Sequence, residues 1–137
     1  MPERWACPNC QRSFTRKSQR HACGTGDARD VVRDRPEAVV RVYEAIAAYA
    51  RSLGEVEIVA RDRYVLLRST RIFTDLQIMT RAVRAAVHLP RRVDDALFFK
   101  VVAGPRFVTH VAKLHGDEEW AALKKYVREA YDASLRA

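Results

Sequence analysis

All three cysteines of this chain fall within its first 23 residues, beside a histidine, and none occurs after Cys23. The run is Trp5-Ala6-Cys7-Pro8-Asn9-Cys10, then ten residues, then His21-Ala22-Cys23. A disulfide framework would leave one thiol unpaired, whereas a Cys-x-x-Cys pair lets two thiolates reach one tetrahedral ion without strain. His21 and Cys23 complete a Cys₃His donor set, so zinc held by Cys7, Cys10, His21 and Cys23 is expected. Four protein ligands leave no open coordination position, which makes the site structural rather than catalytic. A segment this short cannot fold by apolar burial alone, and zinc would supply most of its folding free energy. Phe14, four residues after Cys10, provides a small aromatic core. The spacing is compressed relative to the common two-Cys, two-His finger, because a single residue separates the last two ligands. Cys23 is therefore expected just beyond a short helix that carries His21.

Between the ligands lies Gln11-Arg-Ser-Phe-Thr-Arg-Lys-Ser-Gln-Arg20, with Arg12, Arg16, Lys17 and Arg20 and no acid. Two readings stand side by side: phosphate contact by the finger, or the solvated basic face of a very small domain. The whole chain carries a formal net charge of +8. Residues 1–35 hold eight Lys or Arg against four acids, so net positive charge is about threefold denser there than in the remainder. Such a distribution makes nucleic acid a reasonable partner class. The N-terminal Met1-Pro2-Glu3-Arg4-Trp5 lacks the apolar stretch of a secretory signal, and no apolar run approaches the ~20 residues that cross a bilayer. A cytoplasmic location without membrane attachment is the expectation.

The cysteine region, residues 1–26, ends at the breaker cluster Gly24-Thr25-Gly26, and residues 27–35 read as a charged linker leading to Pro36. From there to residue 137 the pattern predicts one α+β domain. Val39, Tyr43, Ile46, Ala50 and Leu53 recur at helical spacing, with Gly54 as the stop. Val56–Ala60 and Tyr64–Arg68 read as strands, as do residues 72–80 and 83–89, the latter two as a hairpin. Leu97–Val102 and Phe107–Ala112 add two more around the turn at Gly104-Pro105. Asp117-Glu118-Glu119 opens a second helix with acids at its positive end, and Trp120, Leu123, Val127, Ala130 and Tyr131 form its apolar stripe. The predicted order is an N-terminal helix, an antiparallel sheet of about five to six strands, and a C-terminal helix, with both helices on one sheet face.

No second Cys/His cluster, Gly-rich phosphate loop, serine-containing elbow or His-Glu-x-x-His follows in this domain, so no catalytic residues are assigned. Alternation places His88 opposite Val87 and Leu89, and places His110 away from the core, opposite Phe107 and Val111. If their strands are neighbours, His88, His110 and Arg106 would share one face with Arg84 and Lys100 as a ligand pocket. Asp94-Asp95 reads as a turn cap. Arg61, Arg63, Arg68 and Arg71 form a second basic cluster around Asp62, and Arg63, Arg68 and Arg71 join the four finger cations as candidate nucleic-acid contacts.

Residues 36–135 resemble a bacterial domain family of unknown function. The resemblance rests on Arg63-Tyr64-Val65-Leu66-Leu67-Arg68, Phe73-Thr74-Asp75-Leu76-Gln77-Ile78 and Val87-His88-Leu89-Pro90-Arg91. Asp94-Asp95, Gly104–His110 and Ala130-Tyr131 also fit its pattern. Members of that family occur alone, behind a short finger similar to Trp5–Cys23 with all four ligand positions matched, or fused to endonuclease-like or "predicted transport protein" domains. The resemblance implies no reaction; the fusions associate the family with nucleic-acid metabolism. The expectation is thus a zinc-containing, non-catalytic binding protein associated with nucleic acid. The alternative is a protein-interaction or small acidic-ligand-binding module.

Overall fold

The computed structural model describes residues 28–136, together with two short strands, β1 (Trp5–Ala6) and β2 (Ser13–Phe14), which pair antiparallel. A 3-10 turn (Ala28–Val32) leads to α1 (Glu37–Leu53). Then come β3 (Glu57–Arg61), β4 (Tyr64–Arg68), β5 (Ile72–Ile78), β6 (Val83–Leu89), β7 (Lys100–Ala103) and β8 (Val108–Leu114). Helix α2 (Asp117–Ser134) closes the domain. The six strands β3 to β8 make one antiparallel sheet in the order β3-β4-β5-β6-β8-β7. The expected α+β class, with a sheet flanked by an N-terminal and a C-terminal helix, is what the chain adopts. Apart from β1 and β2, the finger, including its four expected zinc ligands, lies outside the described residues.

Both helices follow from their apolar spacing. In α1, Val39, Val42, Tyr43, Ile46, Ala47 and Ala50 are buried, one face of a 3.6-residue period. In α2 the whole expected stripe is buried, joined by Tyr126. These residues meet Val65, Leu67, Leu76, Val83, Ala85, Val87, Leu89, Ala112 and Leu114, the alternate positions of the central strands, in a single core. Helix α2 packs across β5, β6 and β8, and α1 packs on α2 and β6. Among the described residues, no helix covers the opposite face of the sheet.

Side chains tie the ends of α2 into the sheet. At its start Glu119 accepts a hydrogen bond from the His115 N–H at 2.8 Å, satisfying backbone that precedes the first turn. That bond holds the Glu119 carboxyl below the usual glutamate range. At its finish Thr70 Oγ1 donates to the Ser134 carbonyl at 2.6 Å, and Arg71 reaches the Ala133 carbonyl at 3.4 Å. The β4–β5 loop thereby supplies donors and a positive charge to the carbonyl end of the helix dipole.

Several boundaries differ from the sequence expectation; the strand expected over 72–80, for one, ends at Ile78. Residues 28–35 of the supposed charged linker are part of the domain. Val31 and Val32 are buried in the core, and the Arg63 guanidinium donates to the Val31 and Arg33 carbonyls at 2.8 and 2.9 Å. The strand expected from Leu97 begins at Lys100 instead. The Asp95 side chain accepts the Leu97 N–H at 2.9 Å and the Phe98 N–H bonds the Asp95 carbonyl at 3.0 Å, a local turn that competes with the ladder. The strand expected to end at Ala112 runs on to Leu114.

Candidate functional site

The registers of the six strands define what the helix-free face displays. Arg61 lies opposite Tyr64, Tyr64 opposite Gln77, Gln77 opposite Arg84, and Arg84 opposite Lys113. This is one continuous row across five strands. A second row runs Val59, Leu66, Asp75, Ala86, Val111 and Lys100. A third includes Glu57 beside Arg68, and His88 beside Thr109 and Val102. At strand positions on this face the acids are Glu57 and Asp75, against Arg61, Arg68, Arg84, Lys100 and Lys113. The alternation that drives Val65, Leu67, Val83 and Ala85 inward forces these cations outward.

Aromatic rings stand among the cations. Phe99 is 53% exposed and Tyr64 is 54% exposed, unusual for side chains of this size. The Arg84 guanidinium lies 5.7 Å from the centre of the Phe99 ring and Lys113 Nζ lies 5.3 Å from it. Toward the other end of the strands, Arg71 sits 5.2 Å over the Phe107 ring, and Phe107 packs against the His88 ring at 4.6 Å. The three cation-to-ring distances fall within cation–π range.

His88 is held firmly on this face. Its Nε2 lies 3.0 Å from Asp75 Oδ2, and its Nδ1 lies 3.0 Å from Thr109 Oγ1. Asp75 was a residue of the family resemblance, but its pairing with His88 depends on the β5–β6 register, which strand alternation alone does not supply.

His110 stands elsewhere, and this corrects the expected pocket. It pairs with Val87, a core position, and is fully buried on the helix-covered face. Its Nε2 accepts the Val93 N–H at 2.9 Å, while Nδ1 donates to the Val108 carbonyl at 3.0 Å. Phe98 lies 4.9 Å from its ring, and Tyr126 lies 5.1 Å from Phe98. Tyr126 in turn donates to Asp95 at 2.7 Å. His110 therefore anchors the β6–β7 crossover, and His88 and His110 occupy opposite faces. Burial holds the His110 imidazole below the usual histidine range, with Arg91 and Arg92 acting in the same direction. Arg106 is exposed in the β7–β8 turn.

The other expected cations divide by environment. Arg68 is exposed on the helix-free face. Arg71 is half-buried between the carbonyl end of α2 and Phe107. Arg63 is held by two backbone carbonyls, and desolvation with neighbouring Arg35 and Arg33 lowers its pKa, so it serves the fold. Cys7, Cys10, His21, Cys23, Arg12, Arg16, Lys17 and Arg20 lie outside the described residues. Among the described residues no group of three His, Cys, Asp or Glu side chains is placed to hold a metal ion. No helix among them is long and apolar enough to cross a membrane.

Sequence reasoning did not single out Tyr64, Phe99 or Lys113 as functional. The available signal was modest: Tyr64 shares strand parity with Arg68, and Phe99 follows directly on the buried Phe98.

No curated protein and no solved structure matches the chain significantly. A family model does match, over residues 28–134, and it takes in the 3-10 turn as well as both helices and the whole six-stranded sheet. The chain belongs to that family, a domain of unknown function designated DUF5655.

Proposed function

We propose that this protein is a zinc-containing, non-catalytic binding protein whose ligand is nucleic acid. The observation that carries the reading is the helix-free sheet face, where five cations at strand positions stand against two acids and one of those acids is engaged by His88. A broad positive surface with few competing carboxylates suits a polyanion. On this reading Arg68 and Arg71 join Arg12, Arg16, Lys17 and Arg20 in contacting phosphates, and Arg63 is left out because two carbonyls already hold it.

Filter binding of a short labelled oligonucleotide across about 50–200 mM salt tests the proposal. Contacts from four to six cations give a slope of log K against log salt of about −3 to −5. A nearly flat dependence overturns phosphate neutralisation as the driving force. Unchanged affinity after neutralising Arg12, Arg16, Lys17 and Arg20 together would remove the finger from the interface and favour a protein or small acidic ligand there.

The zinc part of the proposal rests on the donor set of Cys7, Cys10, His21 and Cys23. The pairing of β1 with β2, which flank Cys7 and Cys10 in the sequence, supports it. Elemental analysis of freshly reduced protein is expected to find about one zinc per chain, as a closed Cys₃His site requires. A content well under that defeats the assignment.

A further inference from the structure

The row Arg61–Tyr64–Gln77–Arg84–Lys113, with Phe99 at its β8 end, has a chemistry that phosphate attraction alone does not call for. Two large aromatic rings, each more than half exposed, stand along a line of cations, Tyr64 next to Arg61 and Phe99 beside Arg84 and Lys113. Five strands at about 4.8 Å spacing make the line about 19 Å long, the reach of a few nucleotides. Arg84 and Lys113 are direct cross-strand neighbours, so both approach the Phe99 ring from the sheet, leaving the rest of it open. Val111, on the same face, is 95% buried although it lies outside the helix-covered core, so the platform under Phe99 is packed rather than loose.

We infer that this row binds single-stranded nucleic acid, with bases stacked on Phe99 and Tyr64 and phosphates taken by Arg61, Arg84 and Lys113. The inference rests on the nucleic-acid reading above and narrows it to one class of ligand. In a duplex the base faces are already stacked on one another and unavailable to protein rings. The major groove of a duplex admits a helix or a two-stranded ribbon, and a six-stranded face is too broad for it. Single strands expose base faces that stack on aromatic side chains with little regard to sequence, while flanking cations follow the backbone. Arg84 and Lys113 serve both needs: each is close enough to Phe99 to polarise its ring and near enough to solvent to meet a phosphate. Gln77, between Tyr64 and Arg84, is an uncharged donor and acceptor in the middle of the row.

The test is fluorescence anisotropy on the full, zinc-loaded chain, with labelled oligothymidylate, oligouridylate and a short duplex as probes. Phe99→Leu keeps apolar bulk but removes the ring; Phe99→Trp keeps a ring; Tyr64→Ala removes the other platform. Phe99→Leu and Tyr64→Ala are expected to weaken single-strand binding about five- to a hundredfold each. Both should leave duplex affinity and the salt slope nearly unchanged. Phe99→Trp should bind the single strand as well as the natural protein. The two single-stranded probes separate DNA from RNA, and a loss on either supports the inference. If Phe99→Leu and Tyr64→Ala bind both single-stranded probes as well as the natural protein, the stacking platform is overturned while the phosphate-binding proposal stands. If the natural protein binds none of the three probes, both fail. Melting temperatures of the three variants, expected to match the natural protein because the rings are exposed, separate lost binding from lost fold.

Discussion

Replacing His110 with alanine is expected to destabilise the domain by about 3–5 kcal/mol, through an emptied core site and an orphaned backbone donor. The imidazole is fully buried beside Phe98 and is the acceptor for the Val93 N–H. The Val108 carbonyl also loses its donor. His110→Gln, whose amide oxygen can stand near the Nε2 position, should lose less. The same geometry sets a pH dependence. With Nδ1–H bonded to Val108, protonation must occur at Nε2, where a new N–H would face the Val93 N–H. Burial further disfavours the charged ring and holds its folded-state pKa below the ordinary 6.5, an effect partly offset by the bond to the Val108 carbonyl. Below that value the unfolded chain therefore binds more protons at this residue than the folded one does. The stability contributed by neutral His110 is complete above pH 6.5 and is lost as pH falls toward the folded pKa. Urea denaturation between about pH 7.5 and pH 5 should show this fall in the natural protein, and a smaller one in His110→Gln. Parallel curves for the two proteins would refute the assignment.

His110 also shows where sequence reasoning reaches its limit. The strand was expected to end at Ala112, and within that window Phe107 and Val111 argue for one phase while Val108 and Ala112 argue for the other. Lys113 and Leu114 decide the matter, because the strand continues through them with Lys113 outward and Leu114 fully buried against Val83. A strand boundary misplaced by two residues therefore inverted the face assigned to a candidate ligand-pocket residue. His88 was placed correctly opposite Val87 and Leu89, because β6 alternates without interruption. The helices were legible for a similar reason: seventeen and eighteen residues give a 3.6-residue period room to repeat. The segment 27–35 was misread because charged residues outnumber its two valines, and a single 3-10 turn buries both valines without any periodicity to reveal it. The cation row across the sheet was illegible for a different reason. It is built from residues that are distant in sequence, and β6 pairs directly with β8 although β7 lies between them in the chain, so no local pattern gives the register.

The second large effect is expected at Gly54, where α1 turns toward β3. Its φ of +155° is a conformation that side-chain-bearing residues rarely adopt, and an added Cβ would land on the Tyr131 hydroxyl with the ring carbon Cζ at 3.2 Å. Gly54→Ala should cost about 2–4 kcal/mol, combining backbone strain with overpacking. Tyr131 cannot simply retreat, since it is 9% exposed and its ring meets Phe73 edge-on at 5.5 Å. Phe73 in turn is fully buried at the irregularity in the β4–β5 register, close to the loop that caps α2. Urea titration separates the two contributions. In a Tyr131→Phe background the hydroxyl clash is gone, so Gly54→Ala should cost measurably less there, while the part due to φ persists. That non-additivity reads the contact between turn and helix directly. Equal costs in both backgrounds would mean that the backbone conformation alone demands glycine. A negligible cost in the natural background would mean that the α1–β3 turn relaxes without disturbing the helix that covers the sheet.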